Sequence, residues 1–97
     1  MKWIDTGIVV PGESKSHPIV LEGEITYVIY VEPSIEGVDF DLHVFDQNGN
    51  LVEQDIDETS DALCMITPRW TGPFALVVSS AVGTSDYTIS VLSEDEV

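Results

Sequence analysis

The feature that most constrains the fold of this chain is an alternation of apolar and polar residues with a period of two. Phe40, Leu42 and Val44 alternate with mostly polar neighbours, so this segment has one apolar and one largely polar face. In segment 25–31, apolar side chains fall on both faces, which is typical of a central strand. Val, Ile and Thr are abundant, and the apolar residues do not recur at helical spacing. The sequence therefore predicts an all-β fold.

Turn signals divide the rest of the chain into short segments of the same kind. The Asn48–Gly49 pair predicts a hairpin, because both residues tolerate positive φ, and a returning strand is expected near Leu51. Turns spaced roughly eight to twelve residues apart indicate a sandwich or a small barrel, and we expect two mainly antiparallel sheets. Further strands are predicted at 7–10, 17–21, 62–66, 74–79 and 87–92. The predicted core consists of Phe40, Leu42, Val44, Phe74, Leu76, Val78, Tyr87, Ile89 and Val91.

Length and charge narrow the classes of function. A chain of 97 residues forms one domain, 1–97, with little room for a deep catalytic cavity. Its 18 acidic residues stand against 3 Lys and Arg, which gives a net charge of −15. Such a field repels phosphate backbones and anionic headgroups, so we expect neither nucleic acid nor a membrane as partner. The acids either preserve solubility or form an acidic face for a basic partner or for divalent cations.

The cysteine content and the N-terminus bear on location. Cys64 is the single cysteine, so no intramolecular disulfide forms, and its spacing from Ala62 and Ile66 predicts a buried side chain rather than a nucleophile. The first residues lack the charged and long apolar regions of a signal peptide, and no segment has the length of a membrane span. The expected location is the cytoplasm if the chain is complete, and outside the cell if it is a domain of a secreted parent.

A series of short motifs resembles the bacterial pre-peptidase C-terminal domain. Residues 39–46, with the sequence DFDLHVFD, resemble the D-x-D-L-x-V-x-D strand of that family, and the Asn48–Gly49–Asn50 turn follows them. The pieces that resemble the F-T-P, T-G-x-Y and Y-T-L-x-V motifs of the family are found, in the same order, at 66–68, 71–74 and 87–91.

This resemblance covers about residues 17–92, with an extra N-terminal strand in 1–16 and an acidic tail at 93–97. It implies a jelly-roll-like antiparallel sandwich without catalytic activity. Such domains are usually attached to secreted peptidases, and relatives bind matrix proteins and sometimes calcium.

Acidic residues in and after segment 39–45 suggest a cation site. Asp39 and Asp41 share the polar face of one strand, about 7 Å apart. Asp46 begins a segment similar to the first half of a calcium loop, although Leu51 stands where such a loop needs Gly. If a divalent cation binds, the oxygen ligands of Asp39, Asp41 and Asp46 favour Ca²⁺ over Zn²⁺. The alternative is that these carboxylates face solvent beside an ordinary hairpin turn.

Arg69 and Trp70 are the predicted binding residues. Both types are enriched in binding hot spots, and the loop that carries them is stiffened by Pro68 and Pro73. The indole would stack on a sugar ring or anchor a protein. In the alternative interpretation, Trp70 covers the end of the core and Arg69 pairs with a surface acid. The same two interpretations apply to Trp3.

No catalytic residue is predicted. The serines, Ser79 and Ser80 among them, lack a G-x-S-x-G turn. The sequence therefore predicts a non-catalytic binding or stabilising module for a protein or polysaccharide surface. The alternatives are, first, a free-standing acidic cytoplasmic protein-interaction module or small inhibitor and, behind it, a metal-dependent hydrolase.

Overall fold

The chain forms eight β-strands within the residues that a computed structural model describes, 2–56 and 61–94. In chain order they are β1 (Lys2–Val9), β2 (Ser14–Leu21), β3 (Tyr27–Pro33), β4 (Asp39–Phe45), β5 (Leu51–Asp55), β6 (Ala62–Ile66), β7 (Gly72–Val82) and β8 (Ser85–Ser93). Most of the predicted acidic tail, 95–97, lies outside the described residues. Within the described ranges, no helix is long and apolar enough to cross a membrane.

The described strands make two four-stranded antiparallel sheets that pack against each other. One sheet has the order β1-β8-β3-β6 and the other has the order β2-β7-β4-β5. This order is that of a jelly roll, in which the chain passes repeatedly from one sheet to the other. The prediction of an all-β, jelly-roll-like antiparallel sandwich is confirmed.

The core lies between the two sheets and follows from the alternation along each strand. β4 buries Phe40, Leu42 and Val44 and leaves the residues between them half-buried on the outer face. Every residue of the predicted core is buried, and β3 is a central strand as expected, between β8 and β6. Cys64 is buried in β6 as predicted, and burial, aided by nearby carboxylates, raises the pKa of its thiol to about 12.

The predicted hairpin connects β4 to β5, which begins at Leu51. The amide of Gly49 donates to the carbonyl of Asp46 at 3.1 Å, and the Asp46 amide donates to the carbonyl of Asn50 at 2.9 Å. Gly49 has a φ of 79°, whereas Asn48 keeps a negative φ. The loop is thus one residue longer than a two-residue turn, and only its last position requires the left-handed region.

The first two strands begin earlier than the alternation predicts. β1 starts at Lys2 rather than at residue 7, and β2 starts at Ser14 rather than at 17. Both are edge strands, and their added residues are mostly exposed while the backbone pairs with β8 or β7. Backbone pairing at an edge does not require apolar side chains, so the pattern of period two does not reveal it.

Candidate functional site

The loop between β6 and β7 presents the predicted binding residues at one end of the sandwich. Trp70 is 54% exposed, and Arg69 beside it is exposed as well. A groove of about 350 Å³ lies next to them. Its lining is mainly apolar, and it includes Val52, Ile66, Pro68 and Phe74 together with Arg69 and Trp70.

The turn between β2 and β3 holds this loop by one backbone and one side-chain hydrogen bond. The amide of Glu24 donates to the carbonyl of Pro68 at 2.7 Å, and the amide of Gly23 donates to Thr71 Oγ1 at 3.0 Å. Glu24 adopts a φ of 67°, which costs a residue with a side chain roughly 1–2 kcal/mol. The two hydrogen bonds offset this cost, and they hold the loop on both sides of Trp70.

Gly23 is required by close approach rather than by its dihedral angle. A Cβ at this position would lie 2.6 Å from the Cα of Trp70 and 2.8 Å from its carbonyl carbon. The two turns therefore touch backbone to backbone. The contact involves the backbone of Trp70, and the residue stays just over half exposed.

The side chains of Arg69 and Trp70 have no hydrogen bond or ion pair with another residue of 2–56 or 61–94. The indole does not cover the core, and the guanidinium is not paired with a surface acid of these segments. Trp3 differs, because it is half-buried, packs on the core and meets His17 edge to face with ring centroids 6.3 Å apart. Of the two tryptophans, Trp70 is the more exposed.

Asp46, proposed from the sequence as a cation ligand, caps the turn between β4 and β5. Its carboxylate accepts from the amides of Asn50 at 3.0 Å and Asn48 at 2.9 Å, and from Asn50 Nδ2 at 3.3 Å. These bonds hold the pKa of Asp46 below its ordinary value. Both carboxylate oxygens thus serve the local turn.

Asp39 and Asp41 lie at the other end of β4, with Asp41 roughly 16 Å along the strand from Asp46. Asp39 Oδ1 is buried and has no hydrogen-bond partner among residues 2–56 and 61–94. Burial together with the charge of Asp39 raises the pKa of Asp41. The structure brings these two carboxylates close to each other but not to Asp46. The described residues contain no group of three or more His, Cys, Asp or Glu side chains that could hold a metal. Calcium binding stays a prediction.

A hydrogen-bonded polar chain, buried at His17 and Tyr87 and exposed at Asp5, joins the two sheets near β1, and the sequence did not single it out. His17 is 6% exposed, with Nδ1 2.9 Å from Asp5 Oδ2 and Nε2 2.6 Å from the Tyr87 hydroxyl. Gly7 faces Tyr87 across the β1–β8 pair, and a Cβ there would lie 2.5 Å from that hydroxyl. Glycine at position 7 thus makes room for the contact.

Asp5, His17 and Tyr87 form a hydrogen-bonded clamp between the two sheets. Hydrogen bonds from His17 and then from the Thr6 amide lower the pKa of Asp5, whereas burial and then the charge of Asp5 raise the pKa of Tyr87 to about 12. Tyr87 is 2% exposed, and its raised pKa keeps the hydroxyl protonated at neutral pH. An open cleft of about 760 Å³ is lined in part by Asp5, His17 and Tyr87. The sequence signal for this clamp was the position of His17, which shares the buried face of β2 with Ile19 and Leu21.

The comparisons with known proteins do not assign a family. No family model matches the chain, and no curated protein matches it. The resemblance of residues 17–92 to the pre-peptidase C-terminal domain therefore stays a prediction. What the protein does is inferred from its own surface.

Proposed function

We propose that the chain is a non-catalytic binding module that holds a protein segment at the β6–β7 loop. The observation that carries this proposal is the exposed indole of Trp70 on a backbone fixed by neighbouring hydrogen bonds. A large aromatic side chain on a rigid loop loses little conformational freedom on binding, and Trp is among the residues most enriched in hot spots. The loop is therefore suited to binding a partner.

The groove beside Trp70 indicates the chemistry of the ligand. Its apolar floor, formed in part by Ile66 and Phe74, fits one or two apolar side chains. Arg69 is one of only three Lys and Arg residues on a chain of net charge −15, and it stands at the rim of this groove. A guanidinium donates to carbonyl or carboxylate oxygens. The ligand is a peptide segment with apolar side chains next to such an acceptor.

The resemblance to the pre-peptidase C-terminal domain supports the same proposal, because members of that family are non-catalytic modules. The clamp and the jelly-roll core supply a rigid frame, and the binding residues lie at its end. Neither Arg69 nor Trp70 is needed to close the core, so both are available for a partner.

The test combines a stability measurement with partner capture. Trp70→Ala and Arg69→Gln are compared with Ile35→Ala, which truncates an equally exposed side chain outside the groove. We expect the free energy of unfolding of all three variants to lie within about 0.5 kcal/mol of that of the parent. The immobilised parent and Ile35→Ala should retain a partner protein from lysate that the two loop variants lose.

Three results would overturn the proposal. If Trp70→Ala unfolds the domain, the loop is structural. If retention survives both loop substitutions, binding occurs elsewhere. If the domain binds polysaccharide beads through Trp70 and retains no protein, the groove is reassigned to a carbohydrate ligand.

A further inference from the structure

The outer face of the sheet β1-β8-β3-β6 carries an apolar band that the Trp70 loop does not explain. Strand register aligns two neighbouring rows of side chains across this face. In one row Val28 stands between Met65 and Leu92, and Lys2 ends this row on β1. In the next row Tyr30 stands beside Leu63, and Ser90 separates Tyr30 from Ile4. The apolar band is made up of Ile4, Val28, Tyr30, Leu63, Met65 and Leu92.

Side chains at both ends of the apolar band are open to solvent. Ile4 is 54% exposed on β1, and on β6 Leu63 is 51% and Met65 is 58% exposed. β1 and β6 are the two edges of this sheet, so the band reaches both edges, with Ser90 and Lys2 as its polar members towards β1. Scattered apolar residues on a surface are ordinary, but a contiguous set over three strands, here β8, β3 and β6, is typical of an interaction surface.

Acidic residues border the apolar band on both sides. Beyond the row of Tyr30 lie Glu32 on β3 and Asp61, whose carboxylate accepts from the Tyr30 hydroxyl. Beyond the row of Val28 lies Glu94, whose amide donates to the carbonyl of Thr26 at 2.8 Å. The surface thus alternates acidic, apolar and acidic along the strand direction.

Size and charge decide which occupant fits. Four strands span roughly 15 Å, and the two rows lie roughly 7 Å apart. A globular partner that buries roughly 800 Å² would extend well beyond these rows and over the acidic borders. A second copy of this chain would also bring a second net charge of −15 against the acidic borders. A short segment with positive flanks meets neither obstacle.

We propose that the apolar band binds a cationic amphipathic helix of a partner protein. A helix of about ten residues is about 15 Å long, which matches the width of the sheet. Laid across the strands, its apolar stripe covers the band. Its Lys or Arg side chains then extend to Glu32 and Asp61 on one side and to Glu94 on the other. This surface is separate from the Trp70 loop, so a loop variant such as Trp70→Ala should bind the helix normally.

The probe is a synthetic amphipathic peptide with a leucine stripe flanked by lysines, and its control has the same stripe flanked by glutamates. The binding variant is Leu63→Lys. Its matched control is Val20→Lys, which adds the same charge at a 61% exposed position on the other sheet. Binding is measured by fluorescence anisotropy, and the site is mapped by NMR shifts of the Met65 and Leu63 methyl groups.

We expect the lysine peptide to bind the parent and Val20→Lys alike and to bind Leu63→Lys at least tenfold more weakly. Added salt should weaken the binding, and the glutamate peptide should not bind. Equal affinity for both lysine variants, shifts confined to another face, or equal binding of the glutamate peptide would overturn the proposal. A dimer that Leu63→Lys abolishes would assign the band to a second copy instead. If Leu63→Lys does not fold, Glu32→Gln combined with Glu94→Gln provides the same test.

Discussion

Replacing Gly23 by alanine tests whether the β2–β3 turn holds the binding loop in place. The new Cβ would lie 2.6 Å from the Cα of Trp70, whereas ordinary contact begins at 3.4 Å. The loop must therefore retreat by the difference, about 0.8 Å. That movement breaks or weakens the hydrogen bonds from Gly23 to Thr71 and from Glu24 to Pro68.

Two hydrogen bonds at about 0.5–1.5 kcal/mol each place the expected loss of stability at about 1–3 kcal/mol. For a domain of this size, the loss lowers the melting temperature by roughly 5–20 °C. Gly72→Ala is the matched control in the same region, because its Cβ would find only an ordinary contact, 3.4 Å from Gln47 Oε1. We expect that variant to stay within about 0.5 kcal/mol of the parent.

Urea unfolding followed by tryptophan fluorescence measures both variants, and the partner-capture assay shows whether the retreat of the loop also disturbs binding. A Gly23→Ala protein as stable as Gly72→Ala would refute the reasoning, because the backbone contact would then contribute nothing. Loss of stability with unchanged capture would show that the position of the loop backbone does not govern binding.

Three further predictions follow from the core, the clamp and the acidic strand. Leu42→Ala removes a fully buried side chain and should cost about 2–5 kcal/mol in urea unfolding; a variant as stable as the parent would contradict the assigned core. Because His17 lowers the pKa of Asp5, the stability from this pair is present above the unfolded carboxyl pKa of about 3.9 and is lost as the pH falls through the lower folded value. The parent should thus lose more stability than Asp5→Asn between pH 5 and pH 2, and equal losses would rule out the pairing. Millimolar Ca²⁺ at constant ionic strength should raise the melting temperature of the parent but not that of a variant in which Asp39 and Asp41 are changed to Asn. The expected gain in stability is up to about 2.7 kcal/mol at a hundredfold excess over Kd, and an unchanged melting temperature of the parent would exclude the cation site.

The sequence predicts which side chains face the core because one face of each strand must be apolar. Phe40, Leu42 and Val44 report this directly, and so does the half-buried polar face opposite them. Period two does not identify a strand's neighbours. The pairing of β1 with β8, which brings Lys2 opposite Leu92, leaves no local mark in either segment.

The same difference between local features and contacts distant in sequence applies to the candidate site. Trp70 was identified from residue type and flanking prolines, which are local properties. The contact of Gly23 with Trp70 and the bond of His17 to Tyr87 join residues far apart in the chain, so single-segment reasoning did not find them. Asp46 looked like a possible cation ligand in sequence because turn-capping and calcium-binding segments use the same oxygen-bearing residues.

The order of strands has a consequence for how the chain reaches its fold. Among the described strands, β4 and β5 are the only consecutive pair that are neighbours in one sheet. Every other pairing closes a longer stretch of chain, and folds dominated by such distant pairings form slowly, in milliseconds to seconds. Among the described strands β1 pairs only with β8, so during synthesis β1 has no partner in its sheet until β8 leaves the ribosome. The β4–β5 hairpin is the one element that can form early, and sheet assembly must wait for nearly the whole domain.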